Sequence, residues 1–117
     1  MTQESIARNR RGSKRKAPKG GLHVSCQKGS WGLGGNMAVS VLDVSDAGIR
    51  LILSAPLERN QELTVCLSVP GKGRPLKALA RVVWSVETAE GTYCVGAAFQ
   101  RRLAYTDFLN LVSGTLV

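Results

Sequence analysis

Two short stretches of the chain hold side chains whose types and spacing could recognise a small molecule. The first is Arg11-Gly12-Ser13-Lys14-Arg15, two arginines at i, i+4 in a polar, glycine-containing segment. The second is Asp43-Val44-Ser45-Asp46-Ala47-Gly48, an acid, a hydroxyl and a glycine at the end of an apolar run. Together they offer two planar cationic forks, a carboxylate acceptor, a compact hydroxyl and a bare backbone. That set suits an anionic ligand with a guanine-like donor and acceptor edge, because a guanidinium fork meets paired acceptors bidentately. It suits almost nothing in metal or covalent chemistry.

Other chemistries find no support. One histidine, His23, and no nucleophile paired with a base leave hydrolysis or transfer without a mechanism, so the chain does not read as an enzyme. His23 with Cys26, Cys66 and Cys94 lacks the close paired spacing of structural zinc, and small buried cysteines on strands are the ordinary outcome; no metal or cofactor is expected. Gly29-Ser30-Trp31-Gly32-Leu33-Gly34-Gly35 lacks the order of a phosphate-binding P-loop.

The elements that position the two stretches follow from composition and pattern. At 117 residues, 44% apolar and 21% charged, the chain reads as one domain with a real core. The net charge of +8 is unevenly placed. The seven Lys and Arg before Gly20 face Glu4 alone, whereas the remainder is nearly neutral. A basic arm on a neutral body predicts an anionic partner reached by the arm. Residues 1–20 read as a flexible arm, having too little apolar surface to offset ordering entropy. Residues 21–117 read as the folded domain. No apolar run approaches the length of a membrane span, no apolar stretch follows the N-terminal charges, and three unpatterned cysteines fit a reducing compartment; a cytoplasmic location is expected.

Leu22-His23-Val24-Ser25-Cys26 alternates as a short strand, the glycine-rich residues 27–36 mark a loop, and period-two alternation dominates from Met37 to Phe99. Met37, Val39 and Val41 share a face, and Ile49, Leu51 and Leu53 continue after a turn at Asp46-Ala47-Gly48. Leu63, Val65, Leu67 and Val69 alternate with polar or small residues. Leu76, Ala78, Ala80, Val82, Trp84 and Val86 fall together, and Tyr93, Val95, Ala97 and Phe99 form a last strand. Trp84, Tyr93 and Phe99 are thus expected in the core, with Trp31 the candidate for surface stacking. Arg50 and Arg81 are candidates for the rim of a ligand site, with a solvated strand face the favoured reading for both. Six short strands, each with one apolar face, are not satisfied as an open sheet at this size, so an all-β fold is predicted: a small antiparallel six-stranded β-barrel. Leu103, Phe108, Leu111 and Val112 have helical spacing and predict a short C-terminal helix.

In this order the motifs resemble the PilZ domain, the bacterial receptor module for cyclic di-GMP. The family pattern is R-x-x-x-R in a flexible arm, D/N-x-S-x-x-G at a strand end, then often V-V-W and V-G-x-x-F strands. Here these are Arg11 to Arg15, Asp43 to Gly48, Val82-Val83-Trp84 and Val95-Gly96-Ala97-Ala98-Phe99. The glycine-rich stretch around Trp31 has no place in that pattern.

The resemblance implies a single-domain cyclic di-GMP receptor with Arg10, Arg11, Arg15, Asp43, Ser45 and Gly48 as ligand-binding residues. Arg11 and Arg15 would take guanine edges or phosphates. Asp43 would accept from guanine N1 and N2, and Ser45 would meet the exocyclic amine or a phosphate oxygen. Gly48 would let the backbone approach closely or take a positive φ. Arg10 adds a third guanidinium that would hold a second, stacked ligand. Ligand binding would order the arm and signal to an effector protein. Two alternatives stand beside this reading: a sequence-tolerant nucleic-acid binder using the arm, and a PilZ-like interaction module without ligand.

Overall fold

The computed structural model describes residues 15–31, 34–71 and 74–112. Its strands are β1 (His23–Lys28), β2 (Ala38–Val44), β3 (Gly48–Leu53), β4 (Glu62–Ser68), β5 (Leu76–Glu87) and β6 (Tyr93–Phe99), followed by helix α1 (Tyr105–Leu111). Every pairing is antiparallel, in the order β1-β4-β5-β6-β3-β2. The two edge strands return toward one another. Met37 N–H donates to the Cys26 carbonyl at 2.8 Å, and Asn36 Oδ1 accepts from the N–H groups of Cys26 and Ala38 at 2.8 and 2.9 Å. The sheet is therefore a nearly closed barrel, the all-β architecture that alternation predicted.

The core sits inside that barrel. Leu63, Val65 and Leu67 of β4 share one buried cluster with Ile49, Leu51 and Leu53 of β3 and with Val82 and Val95, all essentially without solvent contact. Each such side chain contributes roughly 1.5–3 kcal/mol by leaving water. Helix α1, with seven residues, is too short to persist alone. It is held by burial of Phe108 and Leu111, and Val112 just beyond it is fully buried.

Two strands depart from strict alternation. The register of β2 shifts between Ala38 and Ser40 and again between Val41 and Asp43; that of β5 shifts between Val82 and Trp84. Each shift leaves one residue (Val39, Leu42 or Val83) without an opposite number and reverses the faces beyond it. All three are exposed. Val39 therefore does not share the core face of Met37 and Val41. Trp84, expected in the core, pairs with Gly96 and is 37% exposed; Val86 is also exposed. Tyr93 packs partly buried against the core and Phe99 is buried, as expected, while Trp31 is exposed.

The described end of the N-terminal stretch is docked on the barrel. Lys16 and Val44 exchange backbone hydrogen bonds of 2.8 and 2.9 Å, Pro18 bridges to Val112, and Lys19 N–H donates to the Leu111 carbonyl at 2.9 Å. An edge strand presents unpaired backbone groups, and at Val44 the arm satisfies them. Residues 1–14, which include Arg10 and Arg11, lie outside the described residues.

Candidate ligand-binding site

The turn after β2 is built by its own sequence. Ser45 is buried, and its Oγ accepts from the N–H groups of Ala47 and Gly48 at 3.2 and 3.0 Å. Ser45 N–H donates in turn to the Gly48 carbonyl at 2.8 Å. A short side chain that bonds two and three residues ahead is how serine closes such a turn. Gly48 has an ordinary φ, so its smallness has the other explanation: a Cβ there would stand 2.6 Å from the Ala97 carbonyl oxygen. Strands β3 and β6 can approach only over a bare backbone. The turn is further tied to the exit of β6 by Phe99 N–H to the Ala47 carbonyl, Leu103 N–H to the Asp46 carbonyl, and an Arg102–Asp46 ion pair at 2.9 Å.

This anchored turn sets the position of Asp43. Residues Val44 and Ile49 pair across the hairpin, so Asp43 stands opposite Arg50. Arg50 donates from Nε to Asp43 Oδ2 at 2.8 Å, and its Nη2 reaches the same oxygen. The other oxygen, Oδ1, accepts from Arg15 Nη1 at 3.0 Å. The carboxylate is thus gripped from both sides, 12% exposed between arginine side chains that are 45% and 41% exposed. Hydrogen bonding to Asp43 holds the Arg50 guanidinium above its ordinary value, against a smaller effect of desolvation. Two cations on one carboxylate leave this corner with an excess positive charge at the surface.

The same row continues across the outer face. Arg50 pairs with Gly96 on β6, and Gly96 with Trp84 on β5. A Cβ at Gly96 would run into the indole, so the ring lies on bare backbone. The row from arm to β5 therefore reads Arg15, Asp43, Arg50, Gly96, Trp84: cationic forks at one end and an aromatic face at the other. Anions and flat heteroaromatic rings are the chemistry such a row accepts.

The family model of the PilZ domain matches residues 9–111, nearly the whole chain. The chain belongs to the PilZ domain family. Among curated proteins none matches. PilZ domains form a family of cyclic di-GMP receptors.

Of the residues expected from the PilZ pattern, Arg15 and Asp43 are brought into contact. Ser45 and Gly48 lie in the adjoining turn, with the Ser45 hydroxyl committed to that turn's backbone. Arg10 and Arg11 fall outside the described residues. Sequence reasoning missed Gly96 and Trp84, and for Arg50 it favoured a solvated strand face over the rim of the site. The signal for Arg50 was countable: once Asp43-Val44 and Ile49-Arg50 flank a tight turn, the acid and the arginine must face each other. For Trp84 there was no comparable signal, because a bulge decides its face.

Proposed function

We propose that this PilZ domain is a receptor that binds cyclic di-GMP between the arm and the outer face of β2, β3, β6 and β5. The observation that carries the reading is the 3.0 Å contact between Arg15 and Asp43, which joins two motifs distant in sequence. Cyclic di-GMP has two phosphates and two guanines. Arg11 and Arg15 would present their forks to guanine O6 and N7 or to phosphate, and the Trp84 indole offers a face for stacking. Asp43 would hold Arg15 in place before binding and accept from guanine N1 and N2 through the oxygen that Arg15 releases, while Ser45 and Gly48 hold the turn beneath. Arg10 would admit a second, stacked ligand. Binding would order the arm and present a changed surface to an effector protein in the cytoplasm; no catalytic step is proposed.

Calorimetric titration of the purified chain with cyclic di-GMP tests this. Saturable binding is expected, with strong preference over GTP, the linear dinucleotide and cyclic di-AMP, and a stoichiometry near two. Arg15→Ala should weaken it by about 1–3 kcal/mol. Absence of binding, or equal binding of linear nucleic acid with a steep salt dependence and no response to Asp43→Ala, would replace the receptor by a non-specific polyanion binder.

A further inference from the structure

The pairing at Asp43 raises a question that the receptor reading leaves open. If Arg15 is to meet a ligand, it must loosen its bond to a nearly buried carboxylate. A buried charge stripped of its partner is strongly disfavoured, so Arg15 held by Asp43 alone would be a poor ligand-binding group. Asp43 is not held by Arg15 alone. Its Oδ2 is occupied by Nε and Nη2 of Arg50, whose backbone is locked opposite Asp43 and beside Gly96 in an uninterrupted part of the β3–β6 ladder. Arg15 reaches the other oxygen from outside the barrel, through one nitrogen. One cation is thus fixed by the sheet, and the other belongs to a strap.

We propose that Arg50 is the standing counter-ion of Asp43, a positioning residue that keeps the carboxylate compensated while Arg15 transfers from it to the ligand. When Arg15 leaves, a complete Asp43–Arg50 pair remains, and the guanidinium gained by the ligand is not taken from a naked acid. Repulsion between the two guanidiniums around one carboxylate favours the transfer further. The arrangement works as a cation exchange, in which the dianionic ligand competes with Asp43 for Arg15 and Arg50 stays behind. This inference rests on the cyclic di-GMP reading for its ligand, and its effect on the free protein is open to measurement without any ligand.

The test uses the full chain and four variants: R50A, R50K, D43N and the R50A/D43N double. In the ligand-free protein, R50A should slow exchange of the Lys16 amide, which donates to the Val44 carbonyl, because Asp43 then grips Arg15 undivided. A merely structural role for Arg50 predicts the opposite, a loosened arm and faster exchange, and that outcome overturns the proposal. With cyclic di-GMP, R50A should bind roughly ten- to a hundredfold more weakly, with R50K recovering part of the loss. In the D43N background, removing Arg50 should change affinity by no more than about twofold, since the residue acts through Asp43. Full additivity in the double variant would make Arg50 a direct ligand contact, and unchanged binding by R50A would make it a bystander; either sinks the exchange. Failure of the wild-type chain to bind, with slowed Lys16 exchange in R50A, would reject the ligand and leave the counter-ion arrangement standing.

Discussion

Strand β4 and the pair of strands β2 and β5 are made from similar residues yet behave differently. β4 pairs without a break along both neighbours, with Leu63, Val65 and Leu67 inside and Glu62, Cys66 and Ser68 turned away; Thr64 on that outward face is covered, its hydroxyl donating to the Gly29 carbonyl at 2.8 Å. β2 and β5 carry all the register shifts. In each, one shift falls immediately before the residue that the outer row uses, Leu42 before Asp43 and Val83 before Trp84. With unbroken ladders, Asp43 would share a face with Val41 and Trp84 with Val82, both toward the core. The bulges let a sequence keep Val41 and Val82 inside and still turn Asp43 and Trp84 out. The regular side of the barrel holds the fold; the irregular side builds the site.

Single-residue deletion separates the two sides with the largest expected effect. Removing Val65 from β4 reverses the faces of half that strand, burying polar residues and exposing leucine. Against a total stability of roughly 5–15 kcal/mol, that change should abolish cooperative folding. Removing Val83 takes out only the unpaired residue, leaving Val82 opposite Ala97 and Trp84 opposite Gly96. It should keep the fold, shift stability by about 1 kcal/mol and preserve the Trp84 environment. Thermal melts followed by tryptophan fluorescence give both answers. If the Val83 deletion unfolds the chain as the Val65 deletion does, the bulge is a structural necessity and not a device for turning a side chain.

The same division explains what could be read from the chain alone. Turn signals and alternation suffice for β3, β4 and β6, because the surplus residues of the shifted ladders lie on β2 and β5 and the period of two survives along these three strands. The Asp43-to-Gly48 turn was equally legible, since Ser45 and Gly48 act locally. A bulge, by contrast, leaves no residue type behind: Leu42 and Val83 look like any strand aliphatic, and only the demand of neighbouring strands reveals them as surplus. The docking of residues 15–20 was hidden for a related reason. It rests on main-chain bonds from Lys16 and Lys19, and main-chain bonding is independent of the side chains from which a basic, loose arm was inferred.

Charge removal gives the next effect and keeps the comparison intact. Both sides of the barrel have a surface ion pair, Arg15–Asp43–Arg50 on the irregular side and Arg81–Glu62 at 3.2 Å on the regular side. Glu62→Ala should change stability by less than about 1 kcal/mol, because both partners are solvated, and should leave cyclic di-GMP binding untouched. Asp43→Ala should weaken binding by about 1–3 kcal/mol, since guanine N1 and N2 lose the acceptor that Arg15 frees when it transfers to the ligand. Parallel calorimetry on the two variants decides whether the site's charges differ from ordinary surface charges.

Gly96→Ala probes the aromatic end of the row. The added methyl meets the indole of Trp84, a side chain able to swing away, so stability should fall by only about 1 kcal/mol. The ring, however, would be lifted from its seat, and ligand affinity should drop a few-fold with a red shift in tryptophan emission. A variant that binds like wild type with a displaced ring would remove Trp84 from the site and leave the arginine corner alone.

The cysteines provide the gentlest test, with no change expected at neutral pH. Cys26 lies inside the barrel opposite Val65 on the regular side, and burial pushes its thiol up to about 11 from 9.0. Cys94 lies beside the outer row, opposite Ile52, and like Cys66 is half-buried. An alkylating reagent at pH 8 should therefore mark Cys94 and Cys66 in the native chain and spare Cys26, as intact-mass and peptide analysis would show. The raised value has a definite sign in stability as well. Below the unfolded thiol's ordinary value both states keep the proton and nothing is lost; as pH rises from 9.0 toward about 11, the unfolded chain ionises first and stability falls. Replacing Cys26 by alanine should flatten that alkaline slope, while the small cavity it leaves lowers stability at every pH. Rapid labelling of Cys26 at pH 8 would instead mean that the regular side of the barrel opens as readily as the side that carries the site.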